Sequence, residues 1–196
     1  MREKIIALDI GGVCLNIRHD LCCKYFGFNN LREIPLEFLQ AVEKFECGLI
    51  DDKEWLAEFR RATGGRFTDN EMIDGWNIII GSDMDGMPEL MSELVDSGYR
   101  LIFFSDTSSV HLLEVYRKLS FANLVTGGVF SFKVNAGKPG VAMYKAFEAQ
   151  YGKPYFYVDD KPENIQAGIN HGWNSHQFLS AAAMRQALLN HSELNA

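Results

Sequence analysis

Three short apolar runs, each ending in a polar cluster, constrain this chain more than any other feature of its sequence. Ile5-Ile6-Ala7-Leu8 runs into Asp9, Tyr99 to Phe104 runs into Ser105-Asp106, and Tyr155 to Val158 runs into Asp159-Asp160. A continuous apolar run, with no alternation of polar residues, suits a strand buried on both faces of a parallel sheet. Helical periods lie between the runs: Met87 to Ser97 places Leu90, Met91, Leu94 and Val95 on one face, and Val110 to Leu119 and Val141 to Gln150 behave similarly. Ala181 to His191 reads as a terminal helix. Strand alternating with helix predicts an α/β fold, a parallel sheet flanked by helices. In such a fold right-handed crossovers bring the carboxyl ends of the strands to one edge, where ligands bind. The three polar clusters are therefore expected to converge.

Residues from about Arg18 to about Asp85 interrupt the alternation with helical signals only. A helix is expected around Leu36 to Phe45. Asp51 with Glu54, and Thr68 with Glu71, form two capping boxes. The first opens a helix carrying Trp55, Leu56 and Phe59 and stopped by Gly64-Gly65; the second opens one with Met72, Trp76, Ile79 and Ile80 on a shared face. The segment reads as a helical cap inserted after the first strand, over the ligand edge.

A chain of 196 residues with 47% hydrophobic content can build one substantial core and an appendage. The net charge of -7, with scattered acids, gives no footprint for a polyphosphate backbone, so no nucleic-acid partner is expected. The apolar run at the N-terminus is too short for a signal segment, and no stretch approaches the ~20 apolar residues that span a bilayer. A cytoplasmic protein without a membrane partner is the expectation. Cys14, Cys22, Cys23 and Cys47 show neither paired nor zinc-ligand spacing and read as reduced thiols.

Each cluster carries a chemical and an ordinary reading. Asp9, followed by Ile10-Gly11-Gly12, can bind Mg²⁺ with one oxygen and attack phosphorus with the other, and the glycines admit a phosphate close to the backbone; the same pattern is also a common exit from a strand. Asp159 and Asp160, with Glu163 and Asn164 on the next turn, offer hard oxygen ligands. Two adjacent acids leaving a strand point to opposite sides, which favours one direct ligand, Asp160 before Asp159; helix capping is the alternative. Ser105 offers a hydroxyl to a phosphate, and Lys138, in Gly137-Lys138-Pro139, offers a point charge or simply starts a surface helix.

Taken in order, strand-Asp, strand-Ser, Lys-Pro before a helix and strand-Asp-Asp followed by x-x-x-Asn resemble the four motifs of the haloacid dehalogenase-like (HAD) hydrolases, over nearly the whole chain. The insertion resembles the C1-type cap of that superfamily. Phe45-Glu46-Cys47-Gly48-Leu49-Ile50 and Gly75-Trp76-Asn77 look like its branch containing sugar-phosphate phosphatases such as glucose-1-phosphatase. The resemblance implies a Rossmannoid core from residues 1–17 and 86–196 with a cap at 18–85. It also implies a Mg²⁺-dependent phosphatase of a small phosphorylated metabolite, a sugar phosphate among the candidates, working through an aspartyl-phosphate. Asp9 would be nucleophile and Mg²⁺ ligand, the Gly11 carbonyl and Asp160 further ligands, and Ser105 and Lys138 the phosphate holders.

Two positions depart from the pattern. Gly11 stands where most phosphatases of the superfamily carry a second aspartate as general acid and base, although the glucose-1-phosphatase branch also has glycine there. Asp106 replaces a frequent Asn beside the phosphate site. It either caps the following helix or, with its pKa raised by crowded anions, stands in part for the missing acid. A catalytically weak relative that binds a phosphorylated metabolite or a protein partner is the alternative function. His19 and Asp20 read as a linker, Arg60 and Arg61 as a solvated face, and His111, His171, His176 and His191 lack metal-ligand spacing.

Overall fold

The computed structural model describes residues 3–194. Strand β1 (Lys4–Leu8) is followed by a short β2 (Leu15–Ile17) and by the helices α1 (His19–Phe26), α2 (Leu36–Glu46), α3 (Asp52–Ala62) and α4 (Asp69–Asn77). The chain continues through β3 (Ile80–Asp83), α5 (Met87–Asp96), β4 (Tyr99–Ser105), α6 (Ser109–Lys118), β5 (Val125–Phe130) and the single turn α7 (Ser131–Val134). It closes with α8 (Val141–Tyr151), β6 (Phe156–Asp159), α9 (Pro162–Asn170), β7 (Ser175–Gln177) and α10 (Ala181–Leu194). Five parallel strands form the central sheet in the order β5-β4-β1-β6-β7, as the alternation of strand and helix predicts.

Period-two alternation divides the apolar strands between two cores. Ile6, Leu8, Leu101, Phe103, Phe156 and Val158 face the layer containing Leu90, Val115 and Met184 of α5, α6 and α10. Ile5, Ala7, Ile102, Phe104 and Tyr157 face Met143, Tyr144 and Phe147 of α8, together with Ile165 and Trp173. The first core continues without a break into the insertion. There Phe59, 1% exposed, stacks on Phe38 at 4.4 Å and meets Phe26 edge-on at 4.6 Å. Both capping boxes form: Asp51 and Glu54 exchange backbone hydrogen bonds of 3.0 and 2.8 Å, and Thr68 and Glu71 exchange bonds of 2.8 and 3.3 Å.

The insertion is helical as far as Asn77. Ile79 and Ile80, which periodicity joins to the face of Met72 and Trp76, lie beyond that helix, and residues 80–83 form β3 antiparallel to β2. The reason is a partner far away in sequence: Arg18 N–H donates to Ile79 O at 2.8 Å, and the Asn16 side-chain amide donates to Asp83 O at 3.0 Å. The four cysteines are free thiols. Among the described residues no helix is long and apolar enough to cross a membrane.

Because one apolar core joins insertion and sheet, Phe59→Ala is expected to lower the stability of the whole chain by ~3–5 kcal/mol. Urea unfolding followed by far-UV circular dichroism should show one transition moved to lower denaturant; a separate early transition of the insertion alone would contradict the shared core.

Candidate active site

Sheet register brings the first and third clusters together. Leu8 pairs with Val158 and with Phe103, so Asp9 leaves the central strand beside Asp159, with the end of β4 on its other side. Asp9 and Asp159 have the same parity as Ala7 and Tyr157 and so face the α8 side, where Lys138 arrives on the loop before that helix. The Lys138 side chain is 1% exposed, and its Nζ lies 3.0 Å from Asp9 Oδ1, 2.5 Å from Asp159 Oδ2 and 2.8 Å from the Phe104 carbonyl. An ammonium has three protons, and here it meets three acceptors.

Asp159 is completely buried and fully occupied. Besides Lys138, it accepts from Tyr157 Oη at 2.7 Å, from Lys161 N–H at 2.9 Å and from Asn164 Nδ2 at 3.0 and 3.2 Å. Burial pushes its carboxyl up, but Lys138 and these donors outweigh it and hold the group below the usual carboxylate range. Lys138 shows the converse: burial alone would depress it, yet Asp9, Asp159 and Asp106 raise it above an ordinary lysine. Asp9 rises to about 6, first from burial, with Lys138 opposing and Asp159 adding repulsion.

Asp160, of opposite parity, turns toward the loop after β1. A Cβ at Gly12, whose φ is +73°, would lie 2.6 Å from Asp160 Oδ2, so glycine alone lets loop and carboxylate approach this closely. Asp160 Oδ1 is buried with no hydrogen-bond partner, and burial followed by repulsion from Asp159 raises the group. One oxygen each from Asp9, Asp159 and Asp160 lie within 4.8 Å of one another. Three carboxylates against one buried ammonium, one of them with an orphaned oxygen, form a donor set that fits a hard divalent cation.

A cavity of about 450 Å³ opens on this cluster. Its walls include every residue that sequence order singles out except Asp159: Asp9, Gly11, Ser105, Asp106, Lys138 and Asp160. Asn164, whose amide donates to Asp159, also lines it, whereas Glu163 is exposed and does not. Asp106 does not cap α6. Ser108 does, accepting from His111 N–H at 3.2 Å, while both Asp106 oxygens accept from the Lys138 backbone N–H at 2.9 and 3.1 Å. Arg60 pairs with Asp69 and Arg61 with Glu58, both away from the cavity. His19 lines the cavity, while Asp20 pairs with Arg18 at 3.2 Å.

Sequence reasoning passed over three further wall residues: Glu46 from the end of α2, His111 from α6 and Lys161 after β6. Glu46 lies in the Phe45 to Ile50 stretch that carries the resemblance, but its place at the cavity, like that of His111 and Lys161, is set by tertiary packing. The His111 ring, 5% exposed, stacks on Trp76 at 4.7 Å with Nε2 3.2 Å from the Trp76 carbonyl. His19, Glu46, Ile79 and His111 also line a second, mainly apolar chamber of about 260 Å³ among the helices of the insertion, with Phe26, Phe38 and Trp76 in its walls.

The fold and this site together define the class: the chain has the HAD fold. A HAD family enzyme from Bacteroides thetaiotaomicron superposes with a TM-score of 0.79 at 21% identity, covering 92% of this chain and 95% of that one. A structure of the same enzyme in complex with magnesium and inorganic phosphate gives 0.78 at 23% identity over 91% and 95% of the two chains. A predicted HAD-like family hydrolase from Porphyromonas gingivalis gives 0.75 at 19% identity over 96% and 98%. No protein-family model and no curated protein matches the sequence.

Burial depresses the His111 imidazole to about 4. A depressed imidazole gives stability that is complete above its unfolded value near 6.5 and is lost as pH falls toward 4, because the unfolded chain then binds the extra proton. The full effect is ~3 kcal/mol. Asp9 and Glu46, with raised values, oppose it, so the measurement is the difference between wild type and His111→Gln: the gap in unfolding free energy should narrow steadily from pH 7 to pH 4.

Proposed function

We propose that the protein is a Mg²⁺-dependent phosphatase of a small phosphorylated metabolite, with Asp9 as nucleophile. The observation that carries this reading is the convergence of Asp9, Lys138, Asp159 and Asp160 at one strand edge beneath a cavity that Ser105 also lines. The HAD-fold enzyme that binds magnesium together with inorganic phosphate supports it.

Asp9 and Asp160, with the Gly11 carbonyl, would hold the cation; Asp159, occupied by its own donors, would steady Lys138 and Asn164 from behind. When bound, Mg²⁺ supplies positive charge against the negative charge that gathers on the phosphoryl oxygens. Lys138 favours the ionised form of Asp9, Ser105 offers its hydroxyl to the phosphate, and Asp106 holds the Lys138 backbone in place. Asp9 attacks phosphorus in line, the ester oxygen leaves, and water then releases phosphate from the aspartyl-phosphate. The insertion, which we read as a cap over residues 18–85, shields the site from bulk water.

The resemblance to sugar-phosphate phosphatases points to a sugar phosphate. The aromatic and aliphatic walls of the adjoining chamber point instead to an ester whose leaving group carries an apolar surface. A phosphate panel holding both kinds separates the two by kcat/KM.

Asp9→Asn should lower phosphate release from 4-nitrophenyl phosphate by at least ~10⁴-fold, the scale on which nucleophile deletions act. EDTA should abolish the same activity and Mg²⁺ restore it. Ligand-induced thermal stabilisation without any phosphate release would support the alternative, a metabolite-binding relative.

A further inference from the structure

Hydrolysis of an unactivated phosphate ester needs a proton for the leaving oxygen and a base for the attacking water. Gly11 cannot supply either, and the Ile17 side chain crowds the place: a Cβ there would come within 3.1 Å of Ile17 Cδ1 and 3.2 Å of Ile17 Cγ1, so Ile17 would have to shift to admit one. The other titratable groups of the cavity wall are mostly committed. Asp106 gives both oxygens to the Lys138 N–H, Lys138 is saturated, and the His111 ring is buried on Trp76. Asp9 and Asp160 belong to the reacting and cation-binding set. Lys161 and His19 are exposed at its rim.

Glu46 differs from all of these. Its carboxylate faces the cavity and takes no hydrogen bond among the described residues, while its backbone is clamped to the core. Ser131 Oγ lies 2.5 Å from the Glu46 carbonyl and accepts from Thr107 N–H at 2.9 Å, which ties the end of α2 to the loop after β4. Asn135 Nδ2 donates to the carbonyls of Cys47 and Gly48 at 3.2 and 3.1 Å. Gly48, with φ +63°, sits so close that a Cβ would overlap the Phe132 carbonyl. The structure builds a rigid seat for a carboxyl group that has no structural partner.

We propose that Glu46 is the general acid and base of the hydrolysis, carried by the cap in place of the residue that Gly11 lacks; this rests on the phosphatase reading above. As Asp9 forms its bond to phosphorus and the ester P–O bond breaks, the Glu46 carboxylic acid passes its proton to the leaving oxygen, which departs as an alcohol. Water then attacks the aspartyl-phosphate, and the Glu46 carboxylate takes a proton from it. The new P–O bond forms, the bond to Asp9 breaks, and inorganic phosphate, free Asp9 and protonated Glu46 result.

The electrostatics suit the task. Burial, then Asp106, push the Glu46 carboxyl to about 7, with Glu43 adding to the rise and Lys161 opposing it; His19 and His111 are the other titratable groups on the shared wall. An acid with a value near the working pH can be protonated in one step and ionised in the next.

The test compares full-length wild type and Glu46→Gln, with Mg²⁺, on phosphates of graded leaving-group acidity, from 2,4-dinitrophenyl to alkyl. Glu46→Gln is expected to lose ~10²-fold or more in kcat/KM on alkyl phosphates, little in kcat/KM on 2,4-dinitrophenyl phosphate, and the limb of the wild-type pH profile near 7. Melting provides a readout independent of turnover: ionising a buried carboxyl costs stability above pH 7, so Glu46→Gln should melt above wild type at pH 8 and level with it at pH 5. Glu46→Ala, which also removes the ionisable group, serves the same comparison if the Gln variant folds poorly. An equal loss in kcat/KM on every substrate, or none, in the presence of an active wild type overturns the role of Glu46 alone. A wild type inactive on the whole series overturns the phosphatase reading and this inference with it.

Discussion

The site depends on one buried cation. Register places Asp9 beside Asp159 on neighbouring strands, and two carboxylates that close in a dry interior repel each other strongly. Lys138 resolves the conflict by bonding to both and to the Phe104 carbonyl. Its own position is held from the backbone by Asp106, so β4, the loop before α8, β1 and β6 are joined through a single side chain. Removing one partner of such a group leaves an uncompensated buried charge, which is far more costly than the bond itself is favourable. Lys138 neutralises only one of three neighbouring acids, and the remaining negative charge beside Asp160 is what makes the cluster receptive to a divalent cation.

The insertion is fastened to this centre by two unlike devices. One is apolar: the aromatic group around Phe59 belongs to the core beneath the sheet, and Trp76 stacks on His111 of α6. The other is polar and local, the bonds from Ser131 and Asn135 to the carbonyls at the end of α2. Apolar contact is tolerant of small displacements, whereas directed hydrogen bonds set position. Their combination packs the insertion broadly and locates Glu46 narrowly.

Much of this was legible in the sequence. The runs before Asp9, Ser105 and Asp159 announce buried parallel strands because Ile5 to Leu8, Leu101 to Phe104 and Phe156 to Val158 are continuously apolar, and both capping boxes appear where Asp51 and Thr68 predict them. The edge strands were not legible: Val125–Phe130 carries two glycines and Ser175–Gln177 no apolar residue, since an edge strand need not be covered on both faces. Ile80 misleads periodicity because its partner, Ile17, is remote in sequence. In the site, the acids at strand ends and the lysine before α8 were readable from order alone. Asp106 was not, because its acceptor role is set by the Lys138 backbone, and Glu46 and His111 were not, because only packing of the insertion brings them to the cavity.

The exchange of an acid beside the nucleophile for one on the insertion has a physical consequence. A carboxyl two residues after Asp9 would belong to the sheet edge and act on any ester that reached it. Glu46 stands on the wall shared by the cavity and the apolar chamber, so under the proposed mechanism the surface that meets the leaving group would also carry the proton it needs. Ile17 crowds the space beside Gly11. In the hydrolysis proposed above, recognition and proton transfer would then fall on one shared wall, and binding energy from the leaving group would help place the acid as well as hold the substrate.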